Sequence, residues 1–193
     1  MTDAAHWYSR GYLPHFDQAN LLVTVTFCLV DAIPDEKKTQ YERIGRVFGP
    51  SARRKAIEAC LDKGYGSCWL DDERIATIVQ DALLFFHGKR YQLHEWVVMP
   101  THVHSMLERW PGWELKTIMH SWKSYTSHKA NRILGLEGQF WQEEGFDRSI
   151  RNEQHYRNAV EYIQQNPVKA GLATRPEDWK YSSAFMRAEG WKG

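Results

Sequence analysis

The sequence predicts one α+β domain built on an antiparallel sheet, and two observations support this prediction. The predicted elements follow one another as strand, helices, two strands, helix, strand and helix, an order that mixes helices and strands without strict alternation. The two central strands, at 91–99 and 102–109, are separated only by Pro100 and Thr101, and so short a turn joins antiparallel neighbours. A chain of 193 residues is long enough for one hydrophobic core and short for two domains.

The first half of the chain is predicted to hold one strand and two helices. β-branched residues that partly alternate indicate the strand, at 21–30, and Pro34 closes it. Each helix begins at a polar cap and ends at glycine or His-Gly. The helices are predicted at 52–63, capped by Ser51, and at 73–86, opened by Asp71 and Asp72.

The second half begins with the longest helical pattern of the chain, at 114–134. Apolar residues at spacings of three and four predict its buried stripe, which comprises Leu115, Ile118, Met119, Trp122 and Tyr125. Lys116, His120 and Lys123 fall on the opposite side, and residues 115–136 contain no acid. A strand or hairpin is predicted at 139–150. A last helix, capped by Asn152, is predicted to about 165, where Asn166 and Pro167 are expected to end it.

Composition and charge exclude several function classes. The net charge of +1 means that a nucleic-acid contact must come from a local patch of basic residues. The longest apolar run, at 21–30, is interrupted by Thr24 and Thr26, so no membrane span or membrane partner is expected. The first ten residues lack the pattern of a secretory signal, and the three cysteines have no CxxC spacing. These features predict a cytoplasmic protein.

His102 and His104 form the first candidate site. Residues i and i+2 of a strand point to the same face, so both imidazoles can reach one metal ion while Val103 packs behind them. The alternative is two polar residues on an open sheet face. A third ligand must come from another element, since no Cys or Asp is near the pair in sequence.

The last helix offers a second candidate. At 100° per residue, one flanking face carries His155, Asn158, Tyr162 and Asn166, whereas Tyr156 falls on the core face. Tyr162 and Asn166 are one turn apart, where a phenol can act as nucleophile and an amide oxygen as metal ligand. The alternative is a half-buried Tyr162 bonded to the backbone, with Asn166 as the helix C-cap.

Two separate stretches carry a resemblance to a known family. WVVMPTHVHSML at 96–107 resembles the metal-binding strand pair of HUH single-strand endonucleases and transposases. FWQEEGFDRSIRNEQHYRNAVEYIQQNPVKAGL at 140–172 resembles the C-terminal signature of REP-associated tyrosine transposases. RGYLPHF at 10–16 and RPEDWKYSSA at 175–184 are also similar, so the resemblance covers nearly the whole chain. The family usually has Asn before the first histidine, where this chain has Thr101.

The resemblance implies a fold and a role for each matching residue. It implies a single ferredoxin-like HUH domain over 1–193, a central antiparallel sheet flanked by helices, with extensions at about 1–20 and 172–193. His102 and His104 would hold a divalent metal, Mg²⁺ or Mn²⁺, with Asn166 as third ligand. Tyr162 would be the nucleophile, with Tyr125 and Tyr156 interpreted as core residues. The sequence does not identify a general base, and His155, one turn before Asn158 and two turns before Tyr162, is the candidate for this role.

The implied substrate is a single-stranded DNA hairpin of the repetitive extragenic palindrome (REP) kind. Cleavage and rejoining would proceed through a 5′-phosphotyrosine. The alternatives are a catalytically silent hairpin-binding protein and a phosphodiesterase that uses metal-bound water. Both a monomer and a homodimer are compatible with the resemblance. The candidate DNA-binding residues are Arg10, Lys116, His120, Lys123, Arg148 and Arg151.

Overall fold

A computed structural model of the chain describes residues 8–9, 14–15, 22–143 and 145–192. Arg10, one of the predicted DNA-binding residues, lies outside the described residues. The strands are β1 (Tyr8–Ser9), β2 (Pro14–His15), β3 (Leu22–Cys28), β4 (Tyr91–Val98), β5 (His102–Arg109) and β6 (Phe146–Ser149). The α-helices are α1 (Asp35–Phe48), α2 (Pro50–Leu61), α3 (Glu73–Phe85), α4 (Leu115–Leu134), α5 (Glu153–Lys169) and α6 (Ser183–Ala188).

Four strands form the central sheet in the order β4-β5-β3-β6, and every pair is antiparallel. After β3 the chain leaves the sheet, passes through α1, α2 and α3, and returns at the edge as β4. Strand β5 then pairs with β3 on one side, and β6 pairs with β3 on the other. The result is the β-α-β-β-α-β order of a ferredoxin-like fold. The predicted α+β class is confirmed, and the β4–β5 hairpin has the short turn that the sequence predicted. Strands β1 and β2 pair with each other in a second, two-stranded antiparallel sheet.

The two faces of the sheet carry different helices, which decides where the candidate site lies. Val103 and Leu107 of β5 pack into the larger core together with α3 and with Ile118 and Trp122 of α4. Met106, on the other face, packs against Ile163 of α5. Since alternate residues of a strand point to opposite faces, His102 and His104 lie on the α5 face with Met106.

The sequence prediction missed α1 and displaced the start of α2. Only Tyr41 of α1 is fully buried, but Tyr41, Ile44 and Phe48 follow helical spacing, so a local signal for this helix was present in the sequence. Helix α2 begins at Pro50, with Gly49 as its N-cap residue and Ser51 already inside its first turn. Proline is favoured at this first position because its missing N–H would have no partner inside the helix.

The end of α5 also differs from the prediction. The helix does not stop at Asn166-Pro167 but continues to Lys169, with Pro167 inside it. Proline in a helix costs about 3 kcal/mol, and burial of the Pro167 ring recovers part of that cost. The chain turns away at Gly171, which has a φ of 72°. As a result, Asn166 has a helical backbone and is not a C-cap.

Two smaller corrections concern α4 and the stretch after it. The buried residues of α4 are Ile118, Trp122, Thr126 and Ala130, and Tyr125 is 52% exposed. Thr126 takes the place expected for Tyr125 because its hydroxyl donates to the Trp122 carbonyl and accepts from the Trp141 indole. Of the predicted strand at 139–150, only β6 is regular. None of the helices in the described part of the chain is long and apolar enough to cross a membrane.

Candidate active site

Two buried imidazoles form the base of the candidate site. His102 and His104 are 1% and 2% exposed, and their ring centroids are 4.7 Å apart. The Nδ1 atom of His104 lies 2.7 Å from the hydroxyl of Thr26, its cross-strand partner on β3. The Nδ1 atom of His102 lies 3.0 Å from the hydroxyl of Thr101. The two threonine hydroxyls therefore contact the Nδ1 atoms of the histidines, and neither threonine contacts an Nε2 atom.

Helix α5 brings the candidate nucleophile to this pair. The Tyr162 hydroxyl lies 3.5 Å from His104 Nε2, and the two ring centroids are 5.1 Å apart. Asn166 follows one turn later and is 2% exposed. The structure thus brings together the four residues predicted as metal ligands and nucleophile. Tyr156 packs against the smaller core below α5, as its position on the core face predicted.

Two buried polar atoms of the predicted ligands have no hydrogen-bond partner among the residues that the structure describes. Among the described residues, His102 Nε2 and Asn166 Oδ1 are both in this position. Leaving such a group unsatisfied costs about 1–3 kcal/mol, so atoms of this kind often indicate a missing ion or water. In the described part of the chain, no three His, Cys, Asp or Glu side chains come together as a metal site. Two imidazole nitrogens and an amide oxygen nevertheless form a donor set that fits a divalent cation.

Burial sets the protonation of these groups. It lowers the pKa of His102 to about 3, an effect that the Asn166 side chain opposes. Burial also lowers the pKa of His104 well below its usual range, with a contribution from His102. Both imidazoles are therefore neutral at pH 7, the form that binds metal. Burial raises the pKa of Tyr162, as do Glu58 and Asp62, while a hydrogen bond with Asn166 lowers it. The phenol is accordingly protonated at neutral pH.

A cavity of about 450 Å³ opens beside Tyr162. It lies between α2, β3, β6 and α5, and its lining includes His104, Tyr162, Arg54, Glu58, Arg148 and His155. His155 faces the cavity, and its Nδ1 accepts the backbone N–H of Arg151 at 3.3 Å. Burial and the nearby Arg148, Arg151 and Arg54 lower the pKa of His155.

The predicted DNA-binding residues divide into two groups. Arg148 lines the tyrosine cavity, and Arg151 lines a cavity that adjoins it. Lys116, His120 and Lys123 lie on α4, across the sheet from Tyr162, and are not brought to the site. The Lys123 ammonium donates to the carbonyls of Gln142 and Glu143, at 2.6 and 3.0 Å, and so fastens the segment after α4.

Sequence reasoning missed the contribution of α2. Arg54 and Glu58 line the tyrosine cavity, and Arg54 Nε lies 3.4 Å from Glu58 Oε1. Their i,i+4 spacing on a predicted helix was the available signal, since such pairs share one helix face. The pattern does not reveal, however, that this face meets α5.

An HxH pair on a ferredoxin-like sheet, facing a tyrosine on the helix that covers it, places the chain in the HUH class. A family model described as "Transposase IS200 like" matches residues 46–166, which is more than half of the chain. The chain belongs to this transposase family. The finding confirms the family that the motifs indicated.

Relatives and a solved structure agree with this assignment. The REP-associated tyrosine transposase of Escherichia coli (strain K12) is 30% identical over 97 residues, which are 48% of this chain and 54% of the relative. A second relative, from Haemophilus influenzae, is 32% identical over 77 residues, 37% of this chain and 44% of the relative. The chain thus spans about half of the length of the curated relatives it matches.

The fold is similar to that of a solved REP-associated tyrosine transposase bound to a REP hairpin. The TM-score is 0.54 and the identity 20%, with 100% of this chain and 92% of that chain covered. At this identity the similarity supports the fold.

Proposed function

We propose that this protein is a metal-dependent, single-stranded DNA transposase that cleaves and rejoins DNA at REP-type hairpins through Tyr162. One observation carries the proposal: the Tyr162 hydroxyl lies 3.5 Å from His104 Nε2, next to two buried polar atoms that have no partner among the described residues. Family membership supports the reaction class. The relatives described as REP-associated transposases support the hairpin substrate.

In the chemical step, the phosphoryl group of the scissile linkage is transferred from the 3′ oxygen of the DNA to the oxygen of Tyr162. Tyr162 Oη attacks the phosphorus of the scissile linkage, so that a P–Oη bond forms and the P–O3′ bond breaks. The phenolic proton is released, and the departing 3′ oxygen gains a proton to become a free 3′-OH. The products are a 5′-phosphotyrosine and a 3′-OH strand. Because the new linkage is also a phosphodiester, a 3′-OH can attack it and rejoin strands without ATP.

His102, His104 and Asn166 would hold the metal, with Mg²⁺ or Mn²⁺ as the proposed ion. When bound, such an ion neutralises charge on the phosphate oxygens and orients the scissile linkage. Thr26 and Thr101 support this role, because each keeps one Nδ1 atom engaged and so fixes the orientation of its imidazole. The low pKa values keep both rings neutral across the physiological range.

A denaturing gel tests the proposal. The protein is mixed with single-stranded hairpin DNA from its own genomic flanks, labelled on the 3′ side of the cut, with Mn²⁺ or with chelator. We expect a metal-dependent, protein-linked band that withstands denaturant and that disappears in Tyr162→Phe. Tyr156→Phe is the matched control, since it removes a hydroxyl from the core face of the same helix, and it should keep the band.

Other outcomes identify the alternatives. Cleavage without a linked band would support a phosphodiesterase that uses water as nucleophile. Hairpin binding without cleavage would support a catalytically silent binding protein. Either result would overturn the proposed role of Tyr162.

A further inference from the structure

Three arginines from different parts of the chain converge beside the tyrosine cavity. Arg54 comes from α2, Arg148 from β6 and Arg151 from the segment just before α5. A second cavity, of about 530 Å³, is lined by all three of them. Arg54 and Arg148 also line the tyrosine cavity, so the two cavities adjoin at these side chains. Together they form a continuous channel that has Tyr162 in one part and Arg151 in the other.

The positive charge of this channel is only partly compensated. Arg54 pairs with Glu58 at 3.4 Å. Within residues 22–143 and 145–192, no carboxylate lies within ion-pair distance of Arg148 or Arg151, although Asp147 lines both cavities. Burial lowers the pKa of Arg148, and the charges of Arg54 and Arg151 lower it further, while Glu58 alone opposes them. Holding like charges together costs free energy, and a bound anion relieves that cost.

An aromatic ring lies where the two cavities adjoin. Phe146 of β6 lines both of them and is only partly buried. The guanidinium of Arg53 lies 5.7 Å from the centroid of this ring. A cationic groove that contains an accessible aromatic ring is the combination by which proteins bind unpaired nucleotides, with phosphates on the cations and a base on the ring.

We propose that this channel binds the substrate strand on one side of the scissile phosphate, with one backbone phosphate held by Arg54 and Arg148 and one base stacked on Phe146. The inference rests on the proposed function, because the strand in the channel is the one that Tyr162 attacks. A single-stranded segment is favoured over a duplex because the aromatic ring requires an unpaired base. The continuity of the two cavities favours a strand over an isolated phosphate ion.

Binding of chemically altered DNA tests the inference without using cleavage. Hairpin oligonucleotides from the genomic flanks carry one neutral methylphosphonate at each position in turn, and their affinity is measured in chelator. We expect about a tenfold loss at one position of the single-stranded arm, the order of one charge-assisted hydrogen bond. In Arg148→Gln and Arg54→Gln, the unmodified DNA should bind about tenfold more weakly, and the loss caused by the methylphosphonate at that position should become smaller. Each substitution should also reduce the slope of log affinity against log salt by about 0.7.

Arg46→Gln is the matched control. Arg46 lies on α1, its side chain is 83% exposed, and it lines neither cavity. This variant should keep both the affinity and the sensitive position. Phe146→Leu, which retains an apolar side chain, should weaken binding of the intact arm but not of an arm with an abasic site at the stacked position.

The outcomes separate the two proposals. The channel is excluded if no methylphosphonate position depends on Arg54 or Arg148, if the dependence lies in the duplex stem, or if inorganic phosphate alone competes at the site with no positional effect. A positional dependence without a protein-linked band would overturn the role of Tyr162 and leave the channel intact. A linked band without positional dependence would do the reverse.

Discussion

Two threonine hydroxyls determine how the imidazoles of the candidate site are presented. Thr26 reaches His104 from the neighbouring strand, and Thr101 reaches His102 from the turn just before it. Thr101 stands where the family usually has Asn, and its hydroxyl makes a polar contact of 3.0 Å. The orientation of a metal ligand is commonly fixed by such a second hydrogen bond. The polar groups behind the histidines are therefore part of the site.

The Thr26→Val substitution tests this orientation. Valine has nearly the same shape but no hydroxyl, so the buried Nδ1 atom of His104 loses its partner. We expect Mn²⁺ affinity to fall about 10- to 100-fold and the free energy of unfolding to fall by about 1–3 kcal/mol. Thr26→Ser, which keeps the hydroxyl, is the control for titration with Mn²⁺. Unchanged metal affinity in Thr26→Val would show that the hydroxyl does not orient the ligand.

The buried histidines also predict how stability depends on pH. In the unfolded chain an imidazole binds a proton near pH 6.5, whereas His102 in the folded chain does so near pH 3. Between these values the unfolded state binds more protons. The contribution of His102 is therefore complete above about pH 6.5 and is lost on acidification, by about 1.4 kcal/mol per pH unit.

Urea unfolding in chelator at pH 7.5 and 5.5 measures this effect. The chain should lose more stability between the two values than His102→Gln does. Equal losses in the two proteins would contradict the neutral, buried state of His102.

At the scale of the elements, a buried carboxylate ties the C-terminal segment to the sheet and to the tyrosine helix. Glu95 is 5% exposed and follows a bulge in β4. Its Oε2 atom accepts from Ser183 of α6 at 2.6 Å, from Arg187 of α6 at 2.6 Å and from Gln164 of α5 at 3.3 Å. One side chain thus connects β4, α5 and α6, and it supports the helix that carries Tyr162.

Arg187→Ala should destabilise the protein by about 2 kcal/mol, because it removes the cation from a buried carboxylate. Denaturation by urea measures the change. The same substitution in a Glu95→Gln background should cost clearly less, since the charge that needed the cation is then absent. Equal costs in the two backgrounds would mean that the pair does not act as a unit.

The elements also show what the sequence could and could not predict. The alternation of β5 placed His102 and His104 on one face, and the helical spacing placed Tyr162 and Asn166 one turn apart, because both patterns are local. The face of the sheet on which each helix packs depends on long-range contacts. For this reason the sequence does not show that Lys116, His120 and Lys123 lie across the sheet from Tyr162, or that Arg54 lines the tyrosine cavity. The continuation of α5 past Pro167 also depends on tertiary packing. Helix α1, in contrast, has a local signal, the helical spacing of Tyr41, Ile44 and Phe48.

At the scale of the whole molecule, the near-neutral charge conceals an uneven distribution. The net charge is only +1, yet Arg54, Arg148 and Arg151 meet beside the tyrosine cavity. The tyrosine helix packs on the sheet of its own chain, with Tyr162 beside His104 and Ile163 beside Met106. We therefore expect the tyrosine helix to act on the sheet of its own chain.

Mixing two inactive variants tests this arrangement. Tyr162→Phe lacks the nucleophile and His102→Ala lacks a metal ligand. If the helix acts on its own sheet, each site in the mixture remains incomplete, and cleavage should stay absent in a gel assay. Restored cleavage would mean that two chains exchange their tyrosine helices. The unmixed wild-type protein at the same total concentration is the positive control.

The most direct measurement maps the nucleotide on the protein after reaction. Trypsin cuts after Arg157 and Lys169, so Tyr162 is the only tyrosine of the peptide NAVEYIQQNPVK, while Tyr156 falls in NEQHYR. After reaction with hairpin DNA and Mn²⁺, followed by nuclease and trypsin digestion, we expect mass spectrometry to find a nucleotide 5′-phosphate on the first peptide. A nucleotide on another peptide, or cleaved DNA with no modified peptide, would contradict catalysis by Tyr162.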